Sequence, residues 1–262
     1  MDHNFVIFYD KFPLMRNITF SFFLAGIIVF SANAQHSLFE NWSAGINAGL
    51  YGIGVQGAAS LSPNLKLRAG FDYFTYSHNE AIEFEVTVTQ NGYETDAQAE
   101  LTDTEVTFPN FKTLVDYYPM KNGIFCFTGG LYFGANKAST NGLIKNYQEL
   151  SVALGEKPEL RYEDIVITPN DDGSFSGQLD MGNAIKPYLG IGLGRTIPHN
   201  RVGFKFELGV VYQGKYDLIS PNLNETGDNW INAITEDLDL PVSESIFNWW
   251  PMMNFSLTYR IR

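Results

Sequence analysis

From about residue 42 onward, large apolar side chains recur at every second position, a period of two that reads as strand after strand with one apolar face. At the C-terminus, in "NFSLTYRIR" (254–262), the residues Phe255, Leu257, Tyr259 and Ile261 share a side with Pro251 and Met253, opposite Asn254, Ser256, Thr258, Arg260 and Arg262. "LKLRAGFDYFTY" sets Leu65, Leu67, Ala69, Phe71 and Tyr73 against Lys66, Arg68, Gly70, Asp72 and Phe74. "FKTLVDYY" opposes Phe111, Thr113, Val115 and Tyr117 to Lys112, Leu114, Asp116 and Tyr118. "FCFTGGLYFG" opposes Phe125, Phe127, Leu131 and Phe133 to Cys126, Thr128, Gly130 and Tyr132. "KPYLGIGLG" opposes Leu189, Ile191 and Leu193 to Lys186, Tyr188 and glycines, and "VGFKFELGVVYQ" opposes Val202, Phe204, Phe206, Leu208, Val210 and Tyr212 to Lys205, Glu207, Gln213 and glycines. A further strand falls near "LYGIGVQGAASL", and a shorter, weakly patterned one at 41–49 makes eight.

A soluble sandwich also alternates, so the second face decides. Here it mixes glycines and aromatics with a few charges of both signs, instead of the Lys and Glu of a solvated surface. The strands run to roughly 10–14 residues, enough for the ~9–11 of a tilted membrane strand. The turns at 62–64, 119–123 and 198–201 are short, whereas the links 78–105, 137–182 and 215–248 are long. Short turns on one rim and long loops on the other mark a bacterial outer-membrane barrel. The sequence therefore predicts an all-β fold, a closed antiparallel eight-stranded transmembrane β-barrel with short periplasmic turns and long extracellular loops. In lipid such a sheet must close, because unpaired backbone groups are costly there, and eight strands leave an interior that side chains fill.

That interior is predicted to hold an ion-pair network of Lys66, Arg68, Lys112, Lys186, Lys205 and Arg260 with Asp72, Asp116 and Glu207, since buried charge is tolerated only where partnered. Glycines beside Tyr188, Tyr132 and Phe74 would let large and small groups interdigitate. Tyr73, Tyr117, Phe125, Trp249, Trp250 and Tyr259 would form the interfacial girdles.

The motif order "LSPNLKLRAGFDYF", "LVDYYP", "KPYLGIGLG" and a terminal "W-P" strand ending "LTYRIR" resembles the small OmpA-like outer-membrane β-barrels of Bacteroidetes-type bacteria, over roughly residues 42–262. The resemblance implies that the terminal strand, through Phe255, Leu257, Tyr259 and Ile261, is the signal read by the outer-membrane insertion machinery. The family's usual final aromatic residue is replaced here by Arg262.

Composition narrows the reading. "MRNITFSFFLAGIIVFSANAQ" has one basic residue, an apolar run and Ala32-Asn33-Ala34, the layout of a signal peptide over 1–34 whose true start is Met15, leaving 35–262 as one barrel domain. A net charge of −12 argues against nucleic acid, and the single cysteine, Cys126, allows no internal disulfide. It is expected to be a buried, inert thiol.

No chemistry stands out. "GIGLGR" (190–195) lacks the spacing and the following helix of a nucleotide loop. His78 lies at the long-loop rim near Asp72 and Glu80, where a solvated histidine outweighs catalysis. The acidic run 78–105 and the turn Asn170-Asp171-Asp172-Gly173 have no calcium-loop spacing and read as solvated surface. "GDNWINAITEDLDLP" spaces Trp230, Ile234 and Leu238 as a short helix. The expectation is thus a protein without catalytic residue, cofactor or metal, whose partners are outer-membrane lipid, the insertion machinery and an extracellular ligand the sequence does not name. The alternative is a narrow pore or transporter for small or apolar solutes.

Overall fold

The computed structural model describes residues 39–262 except 91–92, 121, 155–156, 163–164 and 227–247. The predicted signal peptide and the predicted helix at Trp230–Leu238 lie outside the described residues. The described strands are β1 (Trp42–Gly49), β2 (Gly52–Ser60), β3 (Leu65–His78), β4 (Ile82–Gln90), β5 (Tyr93–Tyr117), β6 (Phe125–Phe133), β7 (Lys137–Ile144), β8 (Glu159–Tyr162), β9 (Ile165–Ile167), β10 (Ser174–Met181), β11 (Ile185–Gly194), β12 (Val202–Tyr212), β13 (Tyr216–Ile219), β14 (Leu223–Thr226) and β15 (Trp249–Arg260). One helix, α1 (Tyr147–Leu154), follows β7. These fifteen strands form one sheet, and every pairing in it is antiparallel.

Eight of the strands pair in a cycle. The order runs β1, β2, β3, β5, β6, β11, β12, β15 and returns to β1, where Ser43 faces Arg260 and Gly49 faces Asn254. Each of these segments alternates between exposed and buried positions, as period-two patterning demands. The sense of the alternation is inverted relative to a soluble domain: Ile53 is 73% exposed and Phe204 75%, while Arg68, Lys112, Asp116 and Lys186 are fully buried.

The long links differ from the sequence expectation in being built of strands. β5 runs 25 residues, pairing with β3 along its C-terminal half and with β4 and β7 along its N-terminal half. β10 adds to β7 and β13 to β10, while β8, β9 and β14 add in turn on the β4 side. "IEFEVTVTQ" (82–90) alternates as clearly as any ring strand, but its acidic residues read as loop. This extension has its own buried cluster of Val88, Ala97, Ala99, Ile144 and Tyr147, against which Leu150 of α1 and Phe175 pack. The expected strict alternation of link lengths also fails once: β1 and β2 are joined by Leu50 and Tyr51 alone, and Gly52 takes the left-handed φ of 93° that this turn requires.

Candidate functional site

The inner face of the ring is where the charged side chains converge. Arg68 on β3 reaches Asp116 on β5 at 3.0 Å and Glu207 on β12 at 2.6 Å. Lys205 on β12 lies 2.9 Å from Asp116 and 2.7 Å from Glu207, so two cations and two carboxylates close into one cluster. Beside it, Lys112 holds Asp72 through both carboxylate oxygens, at 2.8 and 2.9 Å, and Asn47 of β1 donates to Asp72 at 2.6 Å. Thr128 donates to Asp116 at 2.7 Å and Tyr188 to Glu207 at 2.8 Å, so the carboxylate lone pairs left by the cations are used.

Three of the nine predicted members do not join. Lys186 is buried but makes no ion pair among the described residues; it donates to Asn110 Oδ1 at 3.2 Å and to the Gly134 carbonyl at 2.5 Å. Lys66 lies at the short-turn rim, where it donates to Ser60 Oγ and the Ser62 carbonyl. Arg260 lies at the same rim and donates to Asn41 Oδ1 and the His199 carbonyl. Lys66 is the cross-strand partner of Asp116, but that carboxylate is taken up by Arg68 and Lys205, and the Lys66 ammonium turns instead to the Ser60 hydroxyl and the Ser62 carbonyl at the rim.

Several partners in this interior have no counterpart among the predicted members. Asn110 donates to Asn136, Asn136 and Tyr51 both donate to the Gln213 side-chain oxygen, and these groups form an amide layer on the long-link side of the ions. At the other end, Thr196 from the turn before β12 donates its hydroxyl to Asp116 and its backbone N–H to the Tyr118 hydroxyl, and has its carbonyl bonded by Ser43. Single Asn, Thr and Gln residues carry no spacing signal, so only the strand register reveals them. Between the polar layers lie Tyr51, Phe108, Leu114, Tyr132, Tyr188, Val211 and Met252. Tyr132 stands edge-on to both Tyr51 and Tyr188 with ring centres 5.5 Å away. A Cβ at Gly209 would approach within 2.6 Å of the Tyr188 ring, so the glycine is what makes room for the tyrosine.

The predicted girdle residues Tyr73, Tyr117, Trp249 and Tyr259 are exposed on the outer face, with Phe125 half-buried. Trp250 departs from that expectation. It points inward, edge-on to Phe108 at 6.1 Å, because Trp249 and Trp250 are adjacent on a strand and must face opposite ways. Cys126 is buried on the inner face, 4.0 Å from Thr128 Oγ1. His78 ends β3, stacked on Tyr76. In the predicted acidic turn, Asp171 pairs with Lys157, and Asp172 accepts from the Ser174 backbone and hydroxyl, which lowers its carboxyl below the usual range. Among the described residues no three His, Cys, Asp or Glu side chains are placed to hold a metal ion. No described helix is long and apolar enough to cross a membrane, which says nothing of strands.

The terminal strand places Phe255, Leu257 and Tyr259 on the exposed outer face, paired with β1 on one side and β12 on the other, and Ile261 just beyond it. No family model matches the chain, and no curated protein sequence does. Among solved structures, the chain is similar to CarO2 of Acinetobacter baumannii, at 15% identity over 86% of this chain and 100% of that one, with a TM-score of 0.48. It is similar also to CarO of Acinetobacter baumannii, at 18% identity over 83% and 96%, with a TM-score of 0.45. The third is a major outer membrane protein from Thermus thermophilus, at 15% identity over 86% and 100%, with a TM-score of 0.33.

Proposed function

We propose that the eight-strand ring is a closed transmembrane β-barrel of the bacterial outer membrane, exported by removal of residues 1–34 and inserted by the outer-membrane machinery through its terminal strand. The observation that carries this reading is the inverted burial: a continuous apolar exterior surrounds an interior of paired ions. Exposed apolar patches on soluble monomers rarely exceed a few hundred Å², and here Ile46, Ile53, Val55, Phe71, Phe111, Phe127, Leu189, Ile191, Phe204 and Phe255 present them around the ring. Hydrocarbon accepts that surface, and ring closure removes the edges that hydrocarbon rejects.

The same interior supports a non-enzymatic role. Ion cluster, aromatic layer and amide layer fill the space, Thr196 and Tyr118 cross one end, and the hydroxyls that meet a carboxylate there, Thr128 and Thr196 on Asp116, meet one already neutralised by Arg68 and Lys205 and so a poor base. The role is then structural, or surface interaction through the acidic long-link side. Two measurements test it. A folded barrel migrates faster on a gel before boiling than after; an unshifted band overturns the architecture. Purified protein in a planar bilayer is expected to give no steady single-channel steps. Their appearance would replace the plugged interior with the narrow pore.

A further inference from the structure

Among the described residues, the two-residue β1–β2 turn leaves a notch in the wall of the ring on its long-link side. β2 pairs with β3 only as far as Ile53↔Tyr73, so among the described strands Phe74–His78 of β3 pair on the β5 side alone. β15 likewise passes β1 at Asn254, with one further bond from Leu50 to the Met253 carbonyl. Three strand steps at about 4.8 Å each separate β15 from β3, so the notch is roughly 14 Å across. Its two sides are unequal. Pro251 on the β15 side has no N–H to offer. The β3 side carries Phe74, Thr75, Tyr76, Ser77 and His78, with no Pro, Lys or bulge to guard it.

That edge continues. β4 follows β3 in line along the same side of β5, since His78 faces Thr104 and Ile82 faces Leu101, and among the described residues β4 meets β8 only at Val88 and Thr89. Along β4, exposed Ile82 and Phe84 alternate with exposed Glu83 and Glu85. Glu83 is paired with Lys145; Glu80 and Glu85 make no ion pair among the described residues. Residues 78–105 contain no Lys or Arg.

We infer that this edge, Phe74–His78 with Ile82–Val86, binds an extended segment of a partner protein by strand addition, and that the segment alternates apolar with basic residues. Backbone groups that no described strand pairs supply the hydrogen bonds, Tyr76 (55% exposed), Ile82 and Phe84 supply apolar cross-strand neighbours, and Glu80 and Glu85 select positive charge. A second copy of the same edge would set glutamates against glutamates, so self-pairing is disfavoured. The inference rests on the surface-interaction reading above and names its partner class.

The test uses the full chain in detergent micelles and a synthetic peptide alternating valine with lysine. Amide hydrogen exchange is expected to slow at 74–78 and 82–86 when the peptide is added. A valine–glutamate peptide, or the lysine peptide carrying proline at alternate positions, should bind at least about tenfold more weakly. Glu80→Lys with Glu85→Lys should weaken the lysine peptide to a similar degree while the unboiled gel band stays fast. Peptide binding without protection at these amides, or protection unaffected by the charge reversals, overturns the proposal. Concentration-dependent dimerisation through the same amides would replace it with self-pairing. A lost gel shift in the parent chain would instead overturn the barrel.

Discussion

Arg68 and Glu207 meet at 2.6 Å although their strands, β3 and β12, stand on opposite sides of the eight-strand ring. A contact spanning the lumen can form only where the wall is narrow and the neighbouring side chains leave space. It ties the two halves of the ring together through their centre.

Removing one partner of this pair should be severe. Glu207→Ala strands Arg68 and Lys205 beside a single shared carboxylate, Asp116, and is expected to cost about 3–5 kcal/mol. The measurement is the urea midpoint of refolding into lipid vesicles. The double variant Glu207→Leu with Arg68→Met should recover a large part of the loss, because no buried charge then lacks its counterpart.

Leu208 sits near the middle of β12 on the outer face, and Val202 is the strand's first residue, next to the short turn. Leu208→Arg should therefore lose roughly 2–4 kcal/mol of stability in a bilayer, against about 0–1 kcal/mol for Val202→Arg. Equal effects at the two depths would contradict immersion of this face in hydrocarbon.

Gly209→Val is expected to displace the Tyr188 ring and cost about 1–3 kcal/mol by overpacking. Gly129→Ala, where an added Cβ would find Leu189 no closer than 3.5 Å, should be nearly neutral. Comparing the two refolding midpoints separates steric exclusion from backbone flexibility.

In the strand extension, Lys145 bonds Glu83 at 2.5 Å and holds its carboxyl below the usual value near 4.5. A depressed carboxylate stabilises the folded state fully above its unfolded value, and that contribution disappears as pH falls through the folded one. Carboxyl carbon shifts followed by NMR should show Glu83 titrating low, and Lys145→Met should return it to its usual range. The pair is exposed, so the effect on global unfolding should be small.

Much of the ring is legible in the chain because period two is a local signal. Strands β3, β6, β11, β12 and β15 can each be read from their own residues, along with which side chains face inward. What neighbours them is not local. The pattern sends Lys186 and Lys205 inward alike, yet only register decides that Lys186 meets amide oxygens and Lys205 meets carboxylates. The extension is hidden for a different reason: Glu83 and Glu85 suggest a solvated loop, whereas a strand with one wet face carries them without penalty. Trp250 shows the limit of composition, since two adjacent tryptophans suggest a belt until alternation sends one of them inside.

The seam between β1 and β15 joins the first described strand to the last. Until those final residues are in place, β1 and β12 each lack a neighbour on one side. A polypeptide stopped short of Trp249 would carry two sticky flanks, each a template for pairing with another chain.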